Sequence, residues 1–185
     1  DDRTKTDPGF DPLQLAVREA HRRGMRIHAW MNVMPMWRGK KPPRDPEHLF
    51  YTHTEWRLQD ADGKVQDLHE GYVVVNPVYE EVHAYLAGVV RDIVRRYDID
   101  GIHLDYIRFL SDEIGEKKLM PGDSKSLSLY ARATGNAGIA SRVDLVAYRA
   151  WIRSRITDLV RTIRETALRE DPGVVYSAAV WRRPE

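Results

Sequence analysis

The sequence contains no cysteine, no excess of either charge and no long apolar run. Without cysteine there are no disulfide staples, thiolate metal sites or thiol nucleophiles, although the compartment stays open, because exported chains can also lack the residue. Lys and Arg number 29 against 28 Asp and Glu. That balance removes the global basic field on which non-specific nucleic-acid binding relies, so no nucleic-acid partner is expected. Apolar stretches are only a few residues long, far short of the roughly 20 needed to cross a bilayer as a helix. With 42% hydrophobic and 31% charged residues the composition is that of a globular chain rather than a disordered one. No signal peptide is visible, and Asp1-Asp2-Arg3-Thr4-Lys5 reads like the middle of a polypeptide.

What is present is an ordered alternation of elements. Asp11-Pro12-Leu13-Gln14 opens a helix, with Asp11 as cap and Pro12 in the first turn, and Gly24 provides its stop. From Met25 to Val33 the period changes to two: Ile27, Ala29, Met31 and Val33 face one way and His28, Trp30 and Asn32 the other, which predicts a strand. A second helix is expected from near Asn76-Pro77 to Tyr97, with Asn76 as its cap. A strand follows over Gly101 to Phe109, with Ile102 and Leu104 opposite His103 and Asp105. A third helix is expected from Val143 to Arg169, and a third strand from Val174 to Trp181. Helix, strand, helix, strand, helix, strand is the order of parallel strands joined by crossovers, an α/β fold.

The connections are unequal. Helix-to-strand turns are a few residues long, whereas the strand-to-helix segments run from Met34 to Val75 and from Leu110 to Arg142. Loops longer than about 12–15 residues are usually functional. All the elaboration therefore lies at the carboxyl ends of the strands, where α/β barrels and open α/β sheets carry their sites.

Asp105 is the leading catalytic candidate, since an inward carboxylate at the end of a parallel strand needs either a partner or a cavity; the alternative is a structural aspartate bonded to a neighbouring strand. His28, Trp30 and Asn32 interleave aromatic surface with hydrogen-bonding groups, as a sugar ring requires, while core packing is the competing reading of Trp30. His28, His103 and Asp105 could alternatively hold a divalent ion, although no His-x-His or Glu-x-x-His spacing supports it, and no cofactor is expected. Trp37 to Arg44 is locally basic and could attract an anionic polymer. Asp60-Ala61-Asp62-Gly63-Lys64 is expected to turn a hairpin and lacks the remaining ligands of a calcium loop.

Several stretches together resemble the glycosyl hydrolase-like 10 family of bacterial predicted glycosidases, distinct from the family 10 xylanases. They are Phe10-Asp11-Pro12-Leu13, Glu19 to Gly24, His28-Ala29-Trp30-Met31-Asn32, Asn76-Pro77, Arg96 to Arg108, and Asp171-Pro172-Gly173 through Trp181-Arg182. The resemblance covers essentially the whole chain in order. It implies a (β/α)8 TIM barrel acting on a polysaccharide or oligosaccharide, in a group largely exported or associated with the cell envelope, some of whose members act on cell-wall glycan. Asp100 to Ile107 also looks like the chitinase strand motif, but Ile107 stands where that family has its catalytic glutamate and His103 where it has an aspartate, so a substrate-assisted mechanism is not supported. The alternative analogy is with retaining barrels that place an aspartate nucleophile at the end of the fourth strand; Asp105 fits that place, a fold-level comparison that leaves it as nucleophile or acid/base.

Glycoside hydrolysis usually uses two carboxyl groups. Asp112 or Glu113, just beyond the strand, could supply the second; Asp60, Asp62, Asp67 and Glu70 are further choices, and a later strand is another source. Tyr106, Arg108 and Trp181 complete the expected sugar-binding set with His28, Trp30, Asn32 and His103. The expectation is therefore a glycosidase, with a non-catalytic carbohydrate-binding barrel or a metal-dependent polysaccharide hydrolase or deacetylase as alternatives. A complete barrel takes about 250 residues. Residues 1–185 accordingly read as one domain, an incomplete barrel segment lacking its first and last strands, and inactive or poorly active alone.

Overall fold

A computed structural model describes residues 7–66, 68, 71–109, 119–136, 139 and 142–180. Helix α1, Pro12–Arg22, starts as its sequence requires: Asp11 accepts from the Leu13 and Gln14 amides at 3.0 and 3.1 Å. The same carboxylate accepts from the Tyr97 hydroxyl at 2.7 Å, tying the start of α1 to the end of a later helix. Gly24, at φ 67°, turns the chain out of α1. Residues 25–27 are not yet strand, contrary to the expectation from alternation alone. They are held instead by Asp100, whose carboxylate accepts from the Ile27 amide at 2.8 Å and meets His21 Nε2 at 2.9 Å. These contacts, the amide first, keep the Asp100 carboxyl below the usual carboxylate range.

Three strands, β1 (His28–Asn32), β4 (Gly101–Asp105) and β5 (Val175–Ala178), form a parallel sheet in the order β1-β4-β5. Helix α3, Glu80–Arg96, joins β1 to β4, and helix α5, Arg142–Glu170, joins β4 to β5. The two helices pack on each other, and Val82, Leu86, Val90, Ile152, Leu159 and Ile163 share one core with Ile102 and Leu104. One face of the sheet is thus covered. Sequential strands in adjacent positions with their helices in one layer is the winding of a barrel wall, whereas a doubly wound sheet divides its helices between two faces.

The long segment between β1 and α3 is a packed unit in its own right. β2 (Pro35–Arg38) pairs antiparallel with β3 (Tyr72–Val74), and a short helix α2 (Leu49–Thr52) and a 3-10 turn (Thr54–Trp56) lie between them. Met34, Met36, Phe50, Trp56, Leu58 and Val73 to Val75 are buried there. His53 stacks on Trp56 with ring centroids 3.8 Å apart, and the Tyr85 ring of α3 lies tilted to that indole at 5.4 Å. The expected Asp60 turn is present: its carboxylate accepts from the Asp62 and Lys64 amides, and a bridge joins Gln59 to Val65.

Two further expectations are corrected. The segment from 110 to 142 is not loop throughout, because α4 (Ser124–Thr134) lies within it, capped by Asp123 and ended by Gly135 at φ 76°. Nor does Asn76 cap α3, whose cap position is Tyr79. Asn76 is fully buried instead; its Oδ1 accepts from the Val78 amide, and its Nδ2 donates to Asp123 at 3.2 Å and to Ser126 at 2.8 Å. Asp123 also accepts from the Tyr79 hydroxyl and from the Ser126 amide and hydroxyl. Burial, and then the Asp123 carboxylate, push the Tyr79 phenol up, so it stays a donor. This satisfied network joins the start of α3 to the start of α4.

Candidate active site on the open face of the sheet

The face of the sheet away from the helices is built by strand register. His28, Gly101 and Val175 share one level; Trp30, His103 and Ser177 the next; Asn32 and Asp105 lie level at the carboxyl end, where the Ala179 amide donates to Leu104 O. Gly101 is needed at its level. A Cβ there would sit 2.8 Å from the His28 ring, which lies across β4. Above it, Trp30 packs on His103 with ring centroids 4.7 Å apart, and His103 Nδ1 bonds the Ser177 hydroxyl at 2.9 Å.

Among the described residues Trp30 is 67% exposed, and its indole N–H donates to Asn32 Oδ1 at 3.2 Å. A fixed, open indole beside an amide and an imidazole is a surface on which a sugar can stack while its hydroxyls find partners. The structure therefore brings His28, Trp30, Asn32, His103 and Asp105 onto one face, as alternation predicted.

Asp105 is held asymmetrically. Its Oδ1 accepts from the Tyr106 amide at 2.7 Å and from Arg108 at 3.2 Å, and Arg108 also donates to Ala179 O at 3.2 Å. Oδ2 accepts no hydrogen bond from the described residues. The carboxylate is thus oriented by one oxygen and presents the other. Tyr106 adopts φ 51°, an uncommon conformation for a residue with a side chain, and this turns the chain sharply after Asp105. Its hydroxyl lies 3.0 Å from that of Tyr72, and Arg108 lies over the Tyr106 ring at 5.4 Å. The hydrogen bond to Tyr106, then burial, raises the Tyr72 phenol, which keeps it protonated near neutrality.

The metal reading fails on geometry. His28 is level with Gly101, so Asp105 stands four residues further along, about 13 Å at the rise of a strand. His28 and Asp105 cannot share an ion, and among the described residues no three His, Asp or Glu side chains form a group that could hold one. Asp60 is spent on its own turn, and Asp62 is exposed within that turn. Asp112, Glu113, Trp181, Asp67 and Glu70 lie outside the described residues.

Sequence reasoning missed Ser177 and Tyr72, and read Arg38 only as part of the basic Trp37 to Arg44 segment; its guanidinium lies 5.1 Å from the Tyr72 ring. Ser177 was recoverable from the alternation of its strand. Tyr72 was not, nor was the Arg38–Tyr72 contact, because both depend on β2–β3 pairing across more than 30 residues.

The sequence matches the family described as Glycosyl hydrolase-like 10 over residues 1–181. Among named relatives, "Glycosyl hydrolase DigH" of Escherichia coli K12 is 28% identical over 189 residues, covering 95% of this chain and 38% of its own length. "Glycosyl hydrolase YngK" of Bacillus subtilis is 24% identical over 186 residues, covering 95% and 31%. The chain thus spans about a third of the length of the relatives it matches. Among solved structures, α-L-fucosidase isoenzyme 2 of Paenibacillus thiaminolyticus superposes with TM-score 0.59 at 20% identity, over 90% of this chain and 22% of that one. The α-galactosidase TtGalA of Thermus thermophilus gives 0.51 at 17%, over 89% and 27%. Both are glycosidases with TIM-barrel folds, and at these identities they show likeness of fold alone.

Proposed function

The chain belongs to the glycosyl hydrolase-like 10 family, and from that premise we propose that it forms part of a (β/α)8 barrel that hydrolyses glycosidic bonds in a bacterial cell-envelope polysaccharide. The observation that carries this reading is Asp105, at the carboxyl end of β4 with Oδ1 fixed and Oδ2 presented beside an exposed indole. In this proposal Oδ2 attacks the anomeric carbon, the bond to the leaving oxygen breaks, and a second carboxyl group protonates that oxygen. Water then cleaves the glycosyl ester, the second group acting as base. Asp112 or Glu113 is proposed as the second group; a retaining reaction uses two carboxyl groups about 5–5.5 Å apart. Trp30, His28, Asn32, His103, Tyr106, Arg108 and Trp181 shape the sugar subsite.

Three strands with one open face make part of a barrel wall, so further strands of the protein are proposed to cover His28, Trp30 and Val175. Without them, the isolated 185-residue chain is expected to turn over little or no glycan. The test is a screen of the full-length protein against cell-wall and other bacterial polysaccharides, scoring reducing ends and product anomers. Glycan binding by calorimetry with no release of reducing ends, and no loss in Asp105→Asn, would favour a non-catalytic carbohydrate-binding barrel, the reading that the exposed Trp30 alone would allow.

A further inference from the structure

The sharp turn after Asp105 is held by parts that come from elsewhere in the chain. Tyr106 sits at φ 51°, which a residue with a Cβ keeps only where its surroundings over-determine it. Its carbonyl accepts from the Met34 amide at 3.3 Å, the Arg108 guanidinium lies 5.4 Å from its ring, and its hydroxyl lies 3.0 Å from that of Tyr72. The Tyr72 and Tyr106 rings also pack, tilted at 48° with centroids 4.8 Å apart. Met34 and Tyr72 both belong to the long segment between β1 and α3, so that inserted unit grips the residue next to the candidate carboxylate.

Tyr72 is itself fixed. β2–β3 pairing sets it opposite Arg38, whose guanidinium lies 5.1 Å from its ring, and Val73 and Val74 beside it are buried. The Gln66 side chain accepts from the Val74 amide at 2.7 Å and holds the end of that strand. The Tyr72 phenol, raised by its bond to Tyr106 and then by burial, stays protonated near neutrality, so ionisation does not break the contact. The φ of Tyr106 sets the angle between its own peptide plane and everything that follows, and that plane carries the N–H that donates to Asp105 Oδ1 at 2.7 Å. A Tyr106 released from Tyr72 is free to relax towards negative φ and to turn that N–H from the carboxylate.

We propose that Tyr72 is a positioning residue for Asp105: its hydroxyl holds Tyr106 in the left-handed conformation, the Tyr106 amide thereby holds Oδ1, and the inserted β2–β3 unit sets the direction in which Oδ2 is presented. The proposal rests on the glycosidase reading above. It gives the segment between β1 and α3 a part in catalysis that does not require its side chains to touch the sugar. Misplacing a reacting group by about 1 Å can cost about 10²-fold in rate, so the loss of one hydroxyl link is expected to read as a kcat effect of about tenfold.

The test compares the full-length protein with Tyr72→Phe, Tyr106→Phe, the double variant and Asp105→Asn. Turnover is measured on peptide-free bacterial cell-wall glycan strands, and hydrogen exchange at the Tyr106 amide is followed by mass spectrometry. Phenylalanine keeps the packed ring and removes only the hydroxyl. Tyr72→Phe is expected to lower kcat about tenfold with KM within about twofold. It is also expected to speed exchange at Tyr106 while the amides of β1 keep their rates. Whatever Tyr106→Phe costs alone, adding Tyr72→Phe to it costs no more, because both break the same link. Unchanged kcat in Tyr72→Phe, a loss carried by KM, losses that multiply in the double variant, or unchanged exchange at Tyr106 overturns the proposal. Full activity of Asp105→Asn instead refutes the glycosidase assignment, and exchange at Tyr106 then decides the link by itself. The same exchange measurement decides if the unaltered protein cleaves no strand.

Discussion

Replacing Asp105 by Asn separates a functional carboxylate from a structural one, because the two readings predict effects of different kind. Asparagine is isosteric and keeps Oδ1, so the Tyr106 amide and Arg108 retain their acceptor. What the fold loses is the charge assistance of one Arg–carboxylate contact at 3.2 Å between groups 23% and 15% exposed. That is worth on the order of 1 kcal/mol. What the reaction loses is the nucleophile, replaced by an amide nitrogen that cannot form the glycosyl ester. A drop in kcat of about 10³-fold or more is expected, corresponding to about 4 kcal/mol of barrier at 1.36 kcal/mol per tenfold. Reducing-end release from the glycan is the primary assay, with thermal unfolding alongside it. Turnover within tenfold of the unaltered protein would refute the nucleophile role. A loss of stability beyond about 3 kcal/mol would instead reveal a carboxylate that the fold depends on.

Three further outcomes follow from the structure. Asp123→Ala strands the buried Tyr79 hydroxyl and Asn76 amide and removes the cap of α4, so denaturant unfolding is expected to show a loss on the order of 3 kcal/mol, with Asp123→Asn retaining a substantial part; a loss under 1 kcal/mol would contradict the network. Tyr106→Gly is expected to be more stable than Tyr106→Ala by about 1 kcal/mol, the reverse of the usual order, because only glycine relieves φ 51°. His83 is 2% exposed, donates from Nε2 to the Pro77 carbonyl, and is pushed below its ordinary value chiefly by burial. Between that lowered value and about 6.5 the unfolded chain binds more protons, so this contribution is fully present above about pH 6.5 and is lost as pH falls. Comparing unfolding free energies of the unaltered protein and His83→Gln across that range checks it, and a difference independent of pH would refute it.

The legibility of the chain followed the range of the interactions. Alternation in His28 to Asn32 and Gly101 to Asp105 was readable because a strand's two faces are written two residues apart, and the open face carries the residues that pattern assigned to it. The start of α1 was equally local, an Asp and a Pro in sequence. α4 escaped because Ser124 to Thr134 mixes serines with few large apolar residues, so its periodicity is weak; its cap, Asp123, is a local one, but the burial of that cap depends on Asn76 and Tyr79 from 44 or more residues upstream. Asn76 looked like a cap for the same reason. Next to a proline its local grammar is that of a helix start, and only packing shows it buried as a hub.

The sequence by itself therefore determined the order of the three parallel strands and the helices α1, α3 and α5, the end of the sheet at which the long connections lie, the row of polar and aromatic residues and the place of Asp105. Those depend on periodicity and short-range capping, which the backbone imposes over a few residues. Only the tertiary structure decided that the Trp30 indole bonds Asn32 and packs on His103, that His28 and Asp105 stand too far apart to share an ion, that Oδ2 of Asp105 accepts no hydrogen bond from the described residues while Oδ1 is held, and that Arg38 reaches the site through Tyr72 and Tyr106. Each of these is a matter of register and of contacts between segments distant in the chain, and no local pattern encodes either.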